Sequence, residues 1–282
     1  VGADLTGSTV IVPLGGNVTC TITNTDQPAP LSLVKVVDNG MTGATAAPAN
    51  WTLTASGTTT VTGPGNSPSV TERTVPAGSY ALSESGGPAG YTASAWSCSG
   101  GTLTGASVSV PNGGNVTCTI TNTAIAPTLT LVKVVDNGNT GATTPPTAWT
   151  LTADGPSTIS GATGSTDVTD ATAQVGTYDL SESTIAGYSA SGWVCTGGAD
   201  TSATSVTLAP GNAATCTITN TAIAPTLTLV KRVSNNFGGT AVPTDWTLTG
   251  TGPVTISGAS GSDPVTAAVV QTGDYDLSES GG

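Results

Sequence analysis

The feature that most constrains this chain is a repeat of about 98 residues. Lys35, Lys133 and Lys231 are spaced 98 residues apart, and Asn24, Asn122 and Asn220 keep the same step, as do Cys20, Cys118 and Cys216. Glu84, Glu182 and Glu279 follow at steps of 98 and 97, and Trp51, Trp149 and Trp246 do the same. A period of this length is domain-sized, unlike the short repeats of solenoids, so each unit is expected to own a core. Pro-containing joints, QPAP at 27–30 and AIAP at 124–127 and 222–225, mark the boundaries. Such joints are short and stiff. They predict complete repeats at 28–125 and 126–223. The flanking segments are 1–27, reading as the closing strands of a repeat, and 224–282, reading as the opening part of one. Two explanations fit these partial repeats: a cut from a longer array, or subunits that complete one another head to tail by β-augmentation. Against the second, the two partial repeats together lack a counterpart of PAGYTASAWSC (88–98).

Within a unit, Val, Ile, Leu and Trp alternate with Thr and Ser, the period-two pattern of half-buried strands. Thr suits a pleated surface because its branched Cβ restricts χ1. No stretch keeps helical apolar spacing, and 38 Gly and 18 Pro punctuate every segment. The expected fold is all-β, a tandem array of Ig-like or prealbumin-like β-sandwiches. Only 8% of residues are charged, with 5 Lys and Arg against 17 Asp and Glu. That acidic balance argues against nucleic acid and against an anionic membrane surface. No apolar run of about 18 residues is present to cross a bilayer.

Each complete repeat has one Cys after a Trp (Cys98, Cys195) and one in the closing strand (Cys118, Cys216). The economical assignment is one disulfide per repeat, Cys98–Cys118 and Cys195–Cys216, with buried free thiols as the alternative. Cys20 is left over because its counterpart would lie upstream of Val1. Paired Cys imply an oxidising, extracellular setting. With no His in the chain and two Cys per unit, no metal site and no cofactor are expected.

Three polar residues fall on apolar strand faces. Leu129, Leu131, Lys133 and Val135 share a face by period two; so do Tyr178, Leu180 and Glu182, and so do Cys216, Ile218 and Asn220. If the Leu, Tyr and Ile side chains point inward, the Lys, Glu and Asn go with them. A lone buried ion is very costly, so these groups must pair or become neutral.

An early-strand Lys, a Y-x-L-x-E segment and a late-strand Asn resemble the collagen-binding B-type, prealbumin-like domains of Gram-positive pilins and adhesin stalks. In that family the Lys amine attacks the Asn amide with help from the Glu, forming an intramolecular isopeptide bond and releasing ammonia. The resemblance implies Lys35, Glu84 and Asn122 as the reacting set of the first complete repeat, and Lys133, Glu182 and Asn220 as that of the second. Desolvation makes a Lys amine a nucleophile and lets a carboxyl keep a proton to polarise the amide. Fixed strands supply proximity. Family members commonly carry Thr after the Glu, where this chain has Ser85 and Ser183, and a disulfide is not a usual family feature. A hydrogen-bonded but unreacted triad, or three residues that never meet, are the alternatives.

Other signals are weaker. Asp38, Asn39, Asp136 and Asn137 sit in Asx-rich loops that could ligate calcium, but Asn-Gly is a leading turn signal, and turns are the preferred reading. Asn17, Asn50 and Asn115 lie in N-x-T sequons. The Trp residues read as core or disulfide-packing groups. A Ser/His/Asp set is impossible without His, and the Gly-rich stretches lack a phosphate-loop setting. The expected function is therefore a non-enzymatic extracellular or cell-surface stalk or filament, its partners being neighbouring repeats or a head-to-tail homopolymer. An adhesin that binds a host protein or sugar through its loops is the rival, and spacer repeats of a secreted hydrolase are a third class.

Overall fold

The computed structural model describes residues 5–282, so the first four residues of the predicted 1–27 segment lie outside the described residues. The described chain is strands joined by turns, with four single 3-10 turns such as Pro146–Ala148. Each of these turns has a Pro in its opening residues, where the missing N–H leaves no bond unmade. By its internal contacts the chain divides into two compact units. One holds residues through Val36 with Pro48–Gly86 and Ala95–Ile120, and the other holds Val37–Ala47, Gly87–Ser94 and Thr121–Gly282.

The second repeat, wholly within the latter unit, shows the architecture most fully. Its first sheet runs in the order Ala171–Thr172, Thr128–Asp136, Ala213–Ala222 and Tyr188–Ala190, with Val194–Thr196 also paired to Ala213–Ala222. The second sheet runs Ile159–Gly161, Leu151–Asp154, Gly176–Glu182, Ser205–Leu208 and Asp200–Thr201. Pairing is antiparallel throughout except at the centre of the first sheet. There Thr128–Asp136 (the lysine strand) lies parallel to Ala213–Ala222 (the asparagine strand) over nine rungs, from Thr128 opposite Ala213 to Asp136 opposite Thr221.

Alternation decides which face is buried. Leu129 and Leu131 on the lysine strand, Tyr178 and Leu180 on Gly176–Glu182 (the glutamate strand), and Cys216 and Ile218 on the asparagine strand all enter one core. Trp149, Leu151, Trp193, Val206 and Leu208 fill the rest of it. Each buried Leu or Ile contributes about 1.5–3 kcal/mol relative to exposure.

In the first unit the same pattern places Leu31, Leu33, Leu53, Tyr80, Val108, Cys118 and Ile120 in a core. The sheet there runs Thr102–Thr104, Ser107–Val110, Gly78–Gly86, Trp51–Ser56 and Thr60–Pro64. The third repeat has a smaller core of Leu229, Leu248, Ile256, Val265 and Val270. Upstream, a short hairpin pairs Leu5–Thr6 with Thr9–Val10.

Each disulfide joins residues directly opposite on neighbouring antiparallel strands: Cys98 faces Cys118 and Cys195 faces Cys216. They do not close a simple hairpin. In the second repeat the chain leaves Val194–Thr196 for two strands of the other sheet before it returns. Cys20 is free and exposed. Sequence separations of 20 and 21 residues correspond to about 3 kcal/mol of chain-entropy stabilisation per bridge. Reduction is therefore expected to lower the unfolding free energy of each repeat by about that amount, read as a fall in urea midpoint with and without reductant. A midpoint indifferent to reductant would contradict it.

Candidate functional site: a buried lysine, glutamate and asparagine

The three polar positions are delivered by the strands just described. In the second repeat Lys133 follows Leu129 and Leu131 inward and is only 3% exposed. Its Nζ donates to Glu182 Oε2 at 2.6 Å. Asn220 is also 3% exposed. The strand register sets it opposite Val135, two residues beyond Ile218, which is the partner of Lys133. Parallel register therefore puts Asn220 on the same inward face as Lys133, one step along the neighbouring strand. The Asn220 Oδ1 is buried and accepts no hydrogen bond among the described residues. A buried carbonyl oxygen in that condition forgoes about 1–3 kcal/mol.

The floor of the site is Trp149. The Lys133 Nζ lies 4.9 Å from its ring centroid, and the Tyr188 ring meets the indole edge-on at 5.1 Å between centroids. The indole shields the amine from water and offers its electron-rich face to whatever positive charge remains. Burial pushes the Lys133 ammonium below its ordinary value of 10.5, with the hydrogen bond and charge of Glu182 opposing that shift in part. The strand's backbone is tied down as well: Lys133 N–H donates to Thr163 Oγ1 at 3.1 Å.

Within the first unit the arrangement repeats. Lys35 Nζ is 2.7 Å from Glu84 Oε2 and 4.8 Å from the Trp51 ring centroid, and burial again lowers the Lys35 pKa as the first cause. Asn122, which belongs to the other unit, is buried on its strand. In the third repeat Lys231 bonds both Glu279 oxygens at 2.6 and 2.8 Å and sits 4.5 Å from the Trp246 centroid. There the pair is more open, with side-chain exposures of 19% and 48%.

Sequence reasoning named the Lys, Glu and Asn but missed Trp51, Trp149 and Trp246 as the floor of the site, reading them as generic core. Their signal was visible, because they keep step with the Lys and Glu through the repeats. Tyr91 and Tyr188 were missed too; their hydroxyls donate to Asn39 and Asn137 Oδ1, each at 2.6 Å. The Asx loops form turns, with Gly40 and Gly138 N–H donating to Asp38 and Asp136 Oδ1. Among the described residues no cluster of three metal-ligating side chains exists. No helix there is long and apolar enough to cross a membrane.

The fold and the site together define a class of protein, the two-sheet β-sandwich domain whose core carries a Lys–Glu pair beside a late-strand Asn. The chain belongs to the prealbumin-like fold domain family, whose model matches residues 26–120, 125–218 and 223–282. Among solved structures it is similar to the Bacillus anthracis TIE protein, at 17% identity and TM-score 0.49, covering 82% of this chain and 41% of that one. It thus spans less than half of that protein. It is also similar to the major pilin T-13 of Streptococcus pyogenes (15% identity, TM-score 0.30, 71% of this chain and 98% of the pilin). The major pilin T3.2 of the same organism gives 15% identity, TM-score 0.33 and coverage of 70% and 98%. No curated protein sequence matches the chain.

The lowered Lys133 value sets the sign of a pH effect. Between the folded-state value and 10.5 the unfolded chain binds the extra proton, so stability rises with pH across that window and is lost as pH falls through the folded-state value. In an Asn220→Ala protein, whose amine has no amide to attack, urea unfolding should show stability climbing as pH rises towards 10.5. A flat profile in that variant would remove the case for a desolvated amine.

Proposed function

We propose that this chain is a structural segment of an extracellular or cell-surface stalk or filament, each complete repeat stapled by a disulfide and by a Lys–Asn isopeptide bond. The observation that carries the reading is the buried amine of Lys133. It is hydrogen-bonded to Glu182, floored by an indole, and one step along the sheet from an amide oxygen with no partner. Membership of the prealbumin-like fold domain family and the two disulfides support the structural and extracellular parts of the reading. The complete units are 28–125 and 126–223, and their partners are neighbouring repeats of the same kind. No substrate is turned over, because each site is consumed by its single reaction.

The chemistry follows from the geometry. Glu182 takes a proton from the Lys133 ammonium, leaving a neutral amine whose lone pair attacks Asn220 Cγ. The protonated carboxyl then donates to the amide oxygen, stabilising negative charge as it develops there. Collapse of the adduct breaks the Cγ–Nδ2 bond. The departing nitrogen, which already carries two hydrogens, takes one more, passed to it from the attacking lysine nitrogen, and leaves as ammonia; the carboxyl keeps the proton it took from the ammonium. A neutral amide remains where an ion pair was buried, which removes the desolvation cost carried by the unreacted pair. Lys35, Glu84 and Asn122 take the same roles in the first complete repeat.

Each bond removes one ammonia, so the intact mass should fall about 17 Da per bond below the sequence mass corrected for disulfides. Peptide mapping should recover a segment containing Lys133 joined to one containing Asn220. Glu182→Ala should restore one deficit while leaving β-type circular dichroism in place. A wild-type mass matching the disulfide-corrected sequence would mean that the triads stay unreacted and only the disulfides staple the repeats.

A further inference from the structure

We infer that the loop following the lysine strand of the second repeat is a clasp that locks that repeat to the next one. This inference rests on the stalk reading for its use, though not on the isopeptide chemistry. In the second repeat the clasp is residues 136–144, and it is built before it meets anything. Asp136 Oδ1 accepts from Gly138 N–H at 2.9 Å. The Asn137 amide donates across the loop to the Thr144 carbonyl at 3.2 Å, and Tyr188 pins that amide from the side. Thr140 Oγ1 donates to the Asn137 carbonyl at 2.8 Å and accepts from Ala142 N–H. Every polar side chain named there is occupied inside the loop, which leaves its backbone to face outward in one fixed shape.

What the loop faces is the third repeat. The Thr140 carbonyl accepts the Thr272 N–H at 2.7 Å, and Asn139 Oδ1 accepts from the Gln271 amide at 2.7 Å. Thr140 itself is buried.

The same device recurs one period earlier, and all its residues lie in the same compact unit. Asn39 closes its loop on the Ala46 carbonyl at 3.0 Å, Tyr91 pins it, and the Thr42 carbonyl accepts the Val175 N–H at 2.7 Å. Linker residues are held as well: Ile125 N–H donates to the Gly90 carbonyl and Ile223 N–H to that of Gly187.

Two glycines make the fit possible. Gly43 and Gly141 have φ of +77° and +76°, a region that favours Gly. A Cβ on either would press on the next repeat's backbone, at 3.2 Å from the Val175 oxygen and 3.1 Å from the Thr272 oxygen. Relative motion is the default for tandem domains joined by small polar contacts. A preshaped loop with one backbone and one side-chain anchor on the third repeat removes it.

The test places nitroxide labels on Thr169→Cys and Thr266→Cys in the full chain. Cys20→Ser removes the one free cysteine found among the described residues. The interlabel distance distribution should be narrow. Gly141→Val should broaden it. Gly164→Val, with a comparable φ of +81° but nothing within 4 Å of its Cβ, should leave it unchanged. Tyr188→Phe, which keeps the ring against Trp149 and loses only the pin on Asn137, should also broaden it, and it decides the matter if Gly141→Val does not fold. A broad distribution in the parent overturns the clasp, as does a narrow one in Tyr188→Phe or in folded Gly141→Val. Intact mass read on the same samples reports the isopeptide bonds separately, so failure of the clasp is distinguishable from failure of the staple.

Discussion

The fold is organised around the cost of burying a lysine amine. Lys133 occupies a position that alternation reserves for an apolar side chain, and the structure meets that cost three ways: a carboxylate at 2.6 Å, an indole face at 4.9 Å and an asparagine on the adjoining strand. Each must come from a different part of the chain, and each fixes a register. Glu182 requires the glutamate strand to face the lysine strand across the core. Trp149 requires the entry to Leu151–Asp154 to lie beneath them. Asn220 requires the asparagine strand to run parallel beside the lysine strand, the one parallel pairing in the repeat. A buried ion pair is weak evidence for stability but can specify a unique arrangement, and in this protein the specification extends to both sheets.

Much of this was legible in the sequence, and the reason is local. Period-two alternation states which face a residue takes, so Leu131, Leu180 and Ile218 identify the direction of Lys133, Glu182 and Asn220 without any knowledge of the fold. Alternation is silent about what stands opposite. That Trp149 floors the amine, or that Tyr188 reaches Asn137 across 51 positions of chain, depends on how strands far apart in sequence are stacked. The Asx loops show the same limit. Asp136 and Asn137 read as a turn or a calcium loop because both use the same side chains. What separates the readings is that the carboxylate and amide are already spent on the loop's own backbone.

Variation among the repeats falls where this reasoning would place it. Lys, Trp and Glu recur in all three repeats, since each depends on the others. The clasp tips differ, with Met41, Asn139 and Phe237 at corresponding places. Met41 and Phe237 are exposed rather than part of a core, and Asn139 has a matching polar partner in Gln271. Even so, the closing amide is kept in the third loop, where Asn235 donates to the Ala241 carbonyl at 2.9 Å.

The parallel pairing of the lysine and asparagine strands has a mechanical consequence. The chain enters the second repeat at the start of one of these neighbours and leaves at the end of the other. Parallel strands therefore carry entry and exit to opposite ends of the sheet, about 30 Å apart at roughly 3.3 Å per residue. Tension between the two ends pulls along the strands and slides one past the other. All nine rungs, from Thr128–Ala213 to Asp136–Thr221, are then loaded together in shear. An antiparallel pair gripped at its open end would instead give way one rung at a time, like a zip. Before any covalent bond is counted, strand direction alone turns a row of weak hydrogen bonds into a load-sharing joint.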